Sequence, residues 1–455
     1  MPDQHLSIMA TQTITATSTD TSEATFKTTG KTADLNTHAD LSKFSQPVTQ
    51  AEYDRAVALI QTKLDSMSLV DALFSLNLGP DHPELIIDAR VFPATLTTRL
   101  STPSDQLDGQ VYIRPMMIKR FIDGLMEPRY ALRWGHIFML SGPTRIGIKF
   151  VDSLCPWNVR HPFLSRLNIS ALPKPTTDIA QVKSDIEKWG YGLVANALTP
   201  SETTRLRNRL MSQAKGEADY GLGFFDGGEL KPNQRIWCLP NKGQEFIDLL
   251  ETNKSISDFV PDFLGDDAIL FSYTANIARP GNTPMHLHTD QITIQSPIRS
   301  VAFGLNLMYF LEDVTPQNGG TLVMPGSHEG DWAPDDPYST IDTVAAEGPA
   351  GTCMVFESRL WHATGANTVP GSERPVILVF FMRACMRQQE NFQLSVADEV
   401  VERCSDKVKG YMGWRTTGSL GGVQGNLFRD GTIVRRPEKS EIVGVLGGES
   451  RGLHE

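Results

Sequence analysis

The sequence predicts an α+β N-terminal domain followed by a mainly-β domain, a double-stranded jelly-roll barrel with flanking helices. Three observations carry this. Between residues 47 and 156, helical spacing and short apolar runs alternate in the order helix, strands, helix, strand, helix. Beyond residue 268, short apolar runs recur between clusters of Gly, Pro and Asn, the pattern of a many-stranded β fold. Between them, residues 157–176 include Pro162, Pro173 and Pro175, the composition of a linker.

Residues 1–46 are rich in Thr, Ser, Asp and Ala and have little periodic apolar content, so they read as a disordered leader. Order begins where Thr49 and Glu52 make a capping-box pattern, followed by Tyr53, Val57, Ile60 and Leu64 on one helical face. Val111-Tyr112-Ile113 reads as a strand, Met116, Phe121 and Leu125 as a short helix, and Gly135–Gly142 as a further strand. Ile146, Ile148, Phe150 and Val151 close the unit.

After the linker, a helix through Ile179, Val182 and Ile186 ends at Trp189-Gly190, and Leu193-Val194 is a short strand. Thr199-Pro200-Ser201-Glu202 starts another helix, with Thr199 as cap, Pro200 at the first helical position and Glu202 completing the box. Strands are expected at Ala268–Ile277, Val301–Leu311, Thr321–Met324, Gly351–Phe356 and Pro375–Met382.

Composition excludes several classes. Against 42 Lys and Arg stand 53 Asp and Glu, a formal charge of −11, which is the wrong sign for a protein that binds nucleic acid. The longest strongly apolar run, Val376–Met382, is far short of the roughly 20 residues that span a bilayer, so no membrane span is expected. The N-terminus has no apolar signal core, and no Arg precedes Arg55, so neither secretion nor mitochondrial import is expected. Five cysteines, at 155, 238, 353, 385 and 404, are widely spaced without a Cys-x-x-Cys pair. They read as free thiols in a reducing cytoplasm.

The chemistry centres on His286-Leu287-His288-Thr289-Asp290-Gln291. Side chains two apart on a strand share a side, so His288 and Asp290 can face one ion. His362, after the strand Met354-Val355-Phe356, can supply a third ligand. Two imidazoles and one carboxylate on one face leave positions open for a cosubstrate and oxygen, which suits Fe(II). A fourth protein ligand would block those positions, so His286 takes a supporting or loop role. His328 reads as structural, Trp361 as pocket wall or core, and Met354 and Phe356 as alternating toward the cavity.

The order of these residues is similar to one known family. Ile186-Glu187-Lys188-Trp189-Gly190-Tyr191, Asn196-Ala197-Leu198-Thr199-Pro200, His288-Thr289-Asp290, Asn318 to His328 with its Pro325-Gly326-Ser327-His328 turn, His362 and Arg374 together resemble the phytanoyl-CoA dioxygenase family of Fe(II)/2-oxoglutarate oxygenases, over about residues 177–425 within a domain of 177–455. The resemblance implies a cupin-like barrel in which His288, Asp290 and His362 hold iron. It implies that Arg374 pairs bidentately with the distal carboxylate of 2-oxoglutarate, and that Thr321 and Arg235 also contact that cosubstrate. Some relatives carry Gln where this chain has Met285, so the contacts there must differ. The implied activity consumes O2, converts 2-oxoglutarate to succinate and oxidises an unactivated C–H bond of a small-molecule substrate. Hydroxylation is the default, desaturation or oxidative cyclisation the known departures, and specialised metabolism one setting.

The earlier stretch, through Phe121-Ile122-Asp123-Gly124-Leu125, Pro128, Ala131-Leu132, Gly135, Ile137, Leu140-Ser141-Gly142 and Gly147-Ile148-Lys149-Phe150, resembles the sterol-carrier-protein type-2 family. That resemblance implies an apolar tunnel for lipid or acyl chains. A packed domain serving homodimer formation or substrate gating stands beside it, because an apolar lining and an apolar core look alike in sequence. The rival for the whole chain is a non-catalytic lipid carrier with a degenerate barrel.

Overall fold

The computed structural model describes residues 47–98, 106–126, 131, 136–156, 169–293, 300–329, 334, 338–422 and 431–434. The expected leader, residues 157–168 of the expected linker, and Pro128, Leu132 and Gly135 lie outside the described residues. Two compact units result: one within residues 1–161, and one from 162 onward without 292–298 and 331–336.

In the N-terminal unit, α1 (Gln50–Gln61) begins with the expected box. The Thr49 hydroxyl accepts from the Glu52 backbone N–H at 3.3 Å, and the Glu52 carboxylate accepts from the Thr49 N–H at 2.9 Å. Its buried stripe is Tyr53, Ala56 and Ile60. Five strands follow: β1 (Leu73–Asn77), β2 (Leu85–Asp88), β3 (Thr95–Thr98), β4 (Gly109–Ile113) and β5 (Ile137–Ser141). They form one sheet in the order β3-β2-β1-β4-β5, with β1 and β4 parallel and the other neighbours antiparallel. Helices α2 (Pro115–Ile122) and α3 (Thr144–Leu154) contribute Ile118, Phe121 and Phe150 to a core that holds Phe74 and Val111. The Phe74 and Phe150 rings lie 5.4 Å apart.

The C-terminal unit opens with α4 (Ile179–Trp189), capped by Asp178, whose carboxylate accepts from the N–H groups of Ala180 and Gln181. Gly190, at φ +82°, ends the helix in the left-handed conformation that glycine tolerates. β6 (Tyr191–Val194) leads to α5 (Pro200–Asp219), where Thr199 and Glu202 form the expected box. Then come β7 (Phe224–Asp226), β8 (Asn233–Ile236), α6 (Gln244–Thr252) and α7 (Lys254–Leu264). The remaining strands are β9 (Ile269–Ala278), β10 (Gly304–Phe310), β11 (Thr321–Val323), β12 (Val344–Ala346), β13 (Cys353–Glu357), β14 (His362–Thr364) and β15 (Arg374–Met382).

A seven-stranded sheet runs β6-β13-β10-β15-β9-β8-β7, and a three-stranded one β12-β11-β14. From β10 to β15 the chain passes repeatedly between them. Strand alternation divides the core in two. Leu305, Leu307, Tyr309, Val379 and Phe381 pack with helical residues such as Leu210, Phe246 and Phe259. The other face turns Met308, Phe310, Met354, Phe356 and Val376 toward Val323 of the small sheet. Among the described residues no helix is long and apolar enough to cross a membrane.

Candidate active site

A short antiparallel bridge places the first two candidate ligands. The His288 N–H donates to the His362 carbonyl at 3.0 Å, and the His362 N–H returns the bond at 2.9 Å. Cross-strand partners face the same side, so the two rings stand 4.4 Å apart. Asp290 sits at the head of the 3-10 turn Asp290–Thr293 rather than on a strand. The turn still brings its Oδ1 to 3.9 Å from His288 Nε2 and 3.8 Å from His362 Nε2. One ligand atom from each of the three residues lies within 4.8 Å of the others.

Backbone carbonyls fix which nitrogens face inward. His288 Nδ1 lies 3.0 Å from the His286 carbonyl, and His362 Nδ1 lies 3.0 Å from the Leu360 carbonyl. A carbonyl only accepts, so each Nδ1 carries the proton and each Nε2 presents a lone pair toward Asp290. Burial, then the neighbouring His362 and His286, holds the His288 pKa well below the usual imidazole range and keeps the ring neutral. Burial pushes the Asp290 carboxyl up, against the smaller lowering effects of His362, the Asn306 hydrogen bond and Arg235. These donors suit a divalent cation, with two neutral imidazoles and one carboxylate on one side of it.

Asn306, on the inward face of β10, escaped the sequence analysis. Its Nδ2 donates to Asp290 Oδ2 at 2.5 Å, which leaves Oδ1 to face the imidazoles. Phe356 closes another side, its ring 4.9 Å from that of His362.

Arg374 heads β15 and is 1% exposed. Its Nη2 donates to the Gly319 carbonyl at 2.5 Å, while Nε is buried without a partner. Glu373 points the other way, as alternation requires, and accepts from Arg279 Nε at 2.7 Å. No carboxylate pairs with Arg374 among the described residues. Burial, with a smaller push from Arg235, brings its pKa down to about 10.

Thr321 is buried on β11, its hydroxyl 3.3 Å from Met308 Sδ. Arg235 on β8 donates through Nε to Asp226 at 2.5 Å, and its Nη2 lies 3.9 Å from Met285 Sδ. Its charge is felt at His288, Asp290 and Arg374. The His286 ring stays 5.7 Å from that of His288 and 6.0 Å from Tyr338. His328 is buried, with Nε2 2.9 Å from the Glu187 carbonyl and its ring against Gly190, a structural placement. Trp361 is buried, its backbone N–H donating to Ser327 Oγ.

Two histidines and an aspartate on one side of an ion position, with a buried cation on the inward face of the large sheet, are the arrangement of a metal-dependent oxygenase site. The profile of the phytanoyl-CoA dioxygenase (PhyH) family matches residues 186–375, which include all three metal-ligand candidates and Arg374. Over 241 residues the chain is 29% identical to dioxygenase af480 of Aspergillus fumigatus, covering 51% of this chain and 76% of that protein. It is 36% identical over 247 residues to the uncharacterised protein Mb1539 of Mycobacterium bovis, covering 52% and 88%. It is 24% identical over 259 residues to the iron/alpha-ketoglutarate-dependent dioxygenase ausU of Aspergillus calidoustus, covering 53% and 82%. The chain belongs to the phytanoyl-CoA dioxygenase family and is an iron- and 2-oxoglutarate-dependent dioxygenase.

Proposed function

We propose that the C-terminal unit oxidises an unactivated C–H bond of a small organic molecule in specialised metabolism. Hydroxylation is the default outcome, with desaturation or oxidative cyclisation as alternative fates of the same substrate carbon. The observation that carries this reading is Arg374: a buried cation with a free Nε and, among the described residues, no protein carboxylate, on the same inward face as Asn306. An uncompensated buried charge is costly, and a dicarboxylate cosubstrate removes that cost.

In this reading His288, Asp290 and His362 hold the iron, and Asn306 keeps Asp290 turned to it through one oxygen. Arg374 takes the distal carboxylate of 2-oxoglutarate with its fork of donors. Thr321 and Arg235 flank the cosubstrate, and the Met285 thioether fills the side where some relatives carry a Gln. Bound iron supplies the oxygen activation. The chain orients both organic molecules and keeps water from the sealed Arg374 end.

The strand orders support a double-stranded β-helix. The chain alternates between the sheets, and the His288–His362 bridge adds a fourth strand position beside β14. Helix α2, strand β5 and helix α3 follow the order that the sterol-carrier-protein type-2 resemblance implies, and on that basis the N-terminal unit is proposed to share its fold. Five free cysteines support a reducing compartment such as the cytoplasm.

The test supplies Fe(II), 2-oxoglutarate and oxygen and measures succinate. His288→Ala and His362→Ala are expected to abolish succinate formation and weaken Fe(II) binding while the fold survives. Wild-type succinate yield from either variant would remove the triad from the reading.

A further inference from the structure

Exposure changes along the inward face of the large sheet. At one end Arg374 and Val376 are each 1% exposed. Beyond Val376 most inward residues keep slightly more exposure: Leu378 is half-buried, Thr274 is 7% exposed, Ser272 6%, and Phe271 and Phe380 5% each, whereas Met382 at the far end is at 0%. Their outward neighbours Tyr273 and Phe381 are at 0%. The sheet thus has a sealed cationic end and a less tightly sealed end, and the latter is uncharged, with two aromatic rings beside the hydroxyls of Ser272 and Thr274. Among the described residues no charged side chain projects from its inward positions on β9 (269, 271, 272 and 274) or β15 (378, 380 and 382).

A β-bulge builds this end. Ser272 pairs with Phe380 and Leu270 with Phe381, so Phe271 is the extra residue of β9. Its carbonyl accepts from the N–H groups of Gln389 and Glu390. A bulge turns two successive side chains toward one side of a sheet. Phe271 therefore joins Ser272 on the inward face and meets Phe380 edge-on, with centroids 5.0 Å apart and planes at 67°. Gly304 makes room, because a Cβ there would stand 2.5 Å from the Phe380 ring. Met382 and Met386 pack behind. Phe380 is also the cross-strand partner of Asn306, which holds Asp290. The aromatic pair thus starts about 5 Å, one cross-strand step, from the side chain that fixes the metal ligand.

We propose that Phe271 and Phe380 form the substrate-recognition wall, and that the substrate presents to it a neutral apolar body, an aliphatic ring or chain. The hydroxyls of Ser272 and Thr274 are placed to bond a single hydroxyl or carbonyl on that body. This rests on the reading given under Proposed function: with the cosubstrate reaching from Arg374 to the metal, the substrate is left the opposite end.

The test uses the full chain under anaerobic conditions with Fe(II) and 2-oxoglutarate, whose joint chelation gives a visible charge-transfer band. Neutral ring alcohols (cyclohexanol and decalol) are titrated in parallel with lysine and glutamate, and band shift and calorimetric binding are recorded. The ring alcohols are expected to shift the band and the charged probes to leave it alone. In Phe380→Asp and in the milder Phe271→Ser, decalol affinity should fall about tenfold or more, the scale set by burying an aromatic face. If no band forms, the iron and cosubstrate reading itself fails and the wall falls with it. If the band forms but is shifted by the charged probes, or by none of the probes, the wall is not the substrate surface. Decalol binding unchanged in both variants overturns the proposal equally.

Discussion

Arg374 illustrates how one side chain can demand a ligand. Its guanidinium is held by a single carbonyl, and burial lowers its pKa to about 10. Arg374→Lys keeps the charge and loses the planar fork, at a cost of about 1.5–3 kcal/mol for hydrogen bonds to a charged group. The expected outcome is 2-oxoglutarate binding about tenfold or more weaker with iron affinity little changed, read by titrating the cosubstrate into the anaerobic Fe(II) protein. Glu390 carries a separate prediction. It is buried and accepts the N–H groups of Cys238 and Tyr273 at 2.6 Å each, yet burial still pushes its pKa from 4.5 to about 7. The folded state therefore holds this proton more tightly than the unfolded chain. The stability it brings is complete below about pH 4.5 and is lost as pH rises to about 7, a change of about 3 kcal/mol. Relative to wild type, Glu390→Gln should fare better at pH 8 than at pH 5 in thermal denaturation; a difference independent of pH would refute it. The grouping of His288, Asp290 and His362 was legible in sequence because donor chemistry and order mark it, and the burial of Arg374 followed from its place at the head of an apolar strand. Asn306 was not, since its role depends on the register that sets it opposite Phe380 and Phe356. Glu390 was hidden for the same reason: its two partners are remote in sequence.

At the scale of elements, close approach decides where the ligands stand. Gly365 follows β14, and a Cβ there would lie 2.4 Å from the Gly320 carbonyl oxygen, a backbone atom that cannot rotate away. Gly365→Ala must push β14 from β11 and carry His362 with it. A loss of about 2 kcal/mol is expected from overpacking, with Fe(II) affinity falling in step. Calorimetric melting and metal titration of the same variant check both, and an unperturbed metal site would show that β14 is not positioned by this contact. Long inward–outward strands were read well from sequence: the expected Ala268–Ile277 and Pro375–Met382 are observed as Ile269–Ala278 and Arg374–Met382. Both capping boxes were also legible, because a cap is a local bargain between residues three apart. The strands β1, β2 and β3 were not. They are four or five residues long, and β3, Thr-Leu-Thr-Thr, is mostly exposed, so pairing rather than pattern makes them strands. Helices α6 and α7 were missed too, although Phe246, Leu250, Ile256 and Phe259 form helical faces against the outward side of the large sheet.

At the scale of the whole molecule, the question is whether the site needs the first 160 residues. The triad, Asn306, Arg374, Arg235 and Thr321 all belong to the unit that begins at 162. That unit has its own large core, and its chain start is tied to the sheet at Thr176, whose N–H donates to the Leu193 carbonyl while its own carbonyl accepts from Ala195. A protein starting at residue 169 keeps this tie and the α4 cap at Asp178. Domains with a core of their own fold alone when few contacts cross the boundary. Residues 169–455 are therefore expected to be soluble, to melt cooperatively and to bind Fe(II) with the affinity of the full chain, whereas a start at residue 180 removes the cap and the Thr176 tie and should melt lower. If the 169–455 protein aggregates while the full chain does not, the two units share a core and the boundary proposed at the Pro-rich stretch is wrong. If it folds and binds iron but loses turnover on a substrate that the full chain accepts, the N-terminal unit serves delivery or gating of that substrate rather than stability.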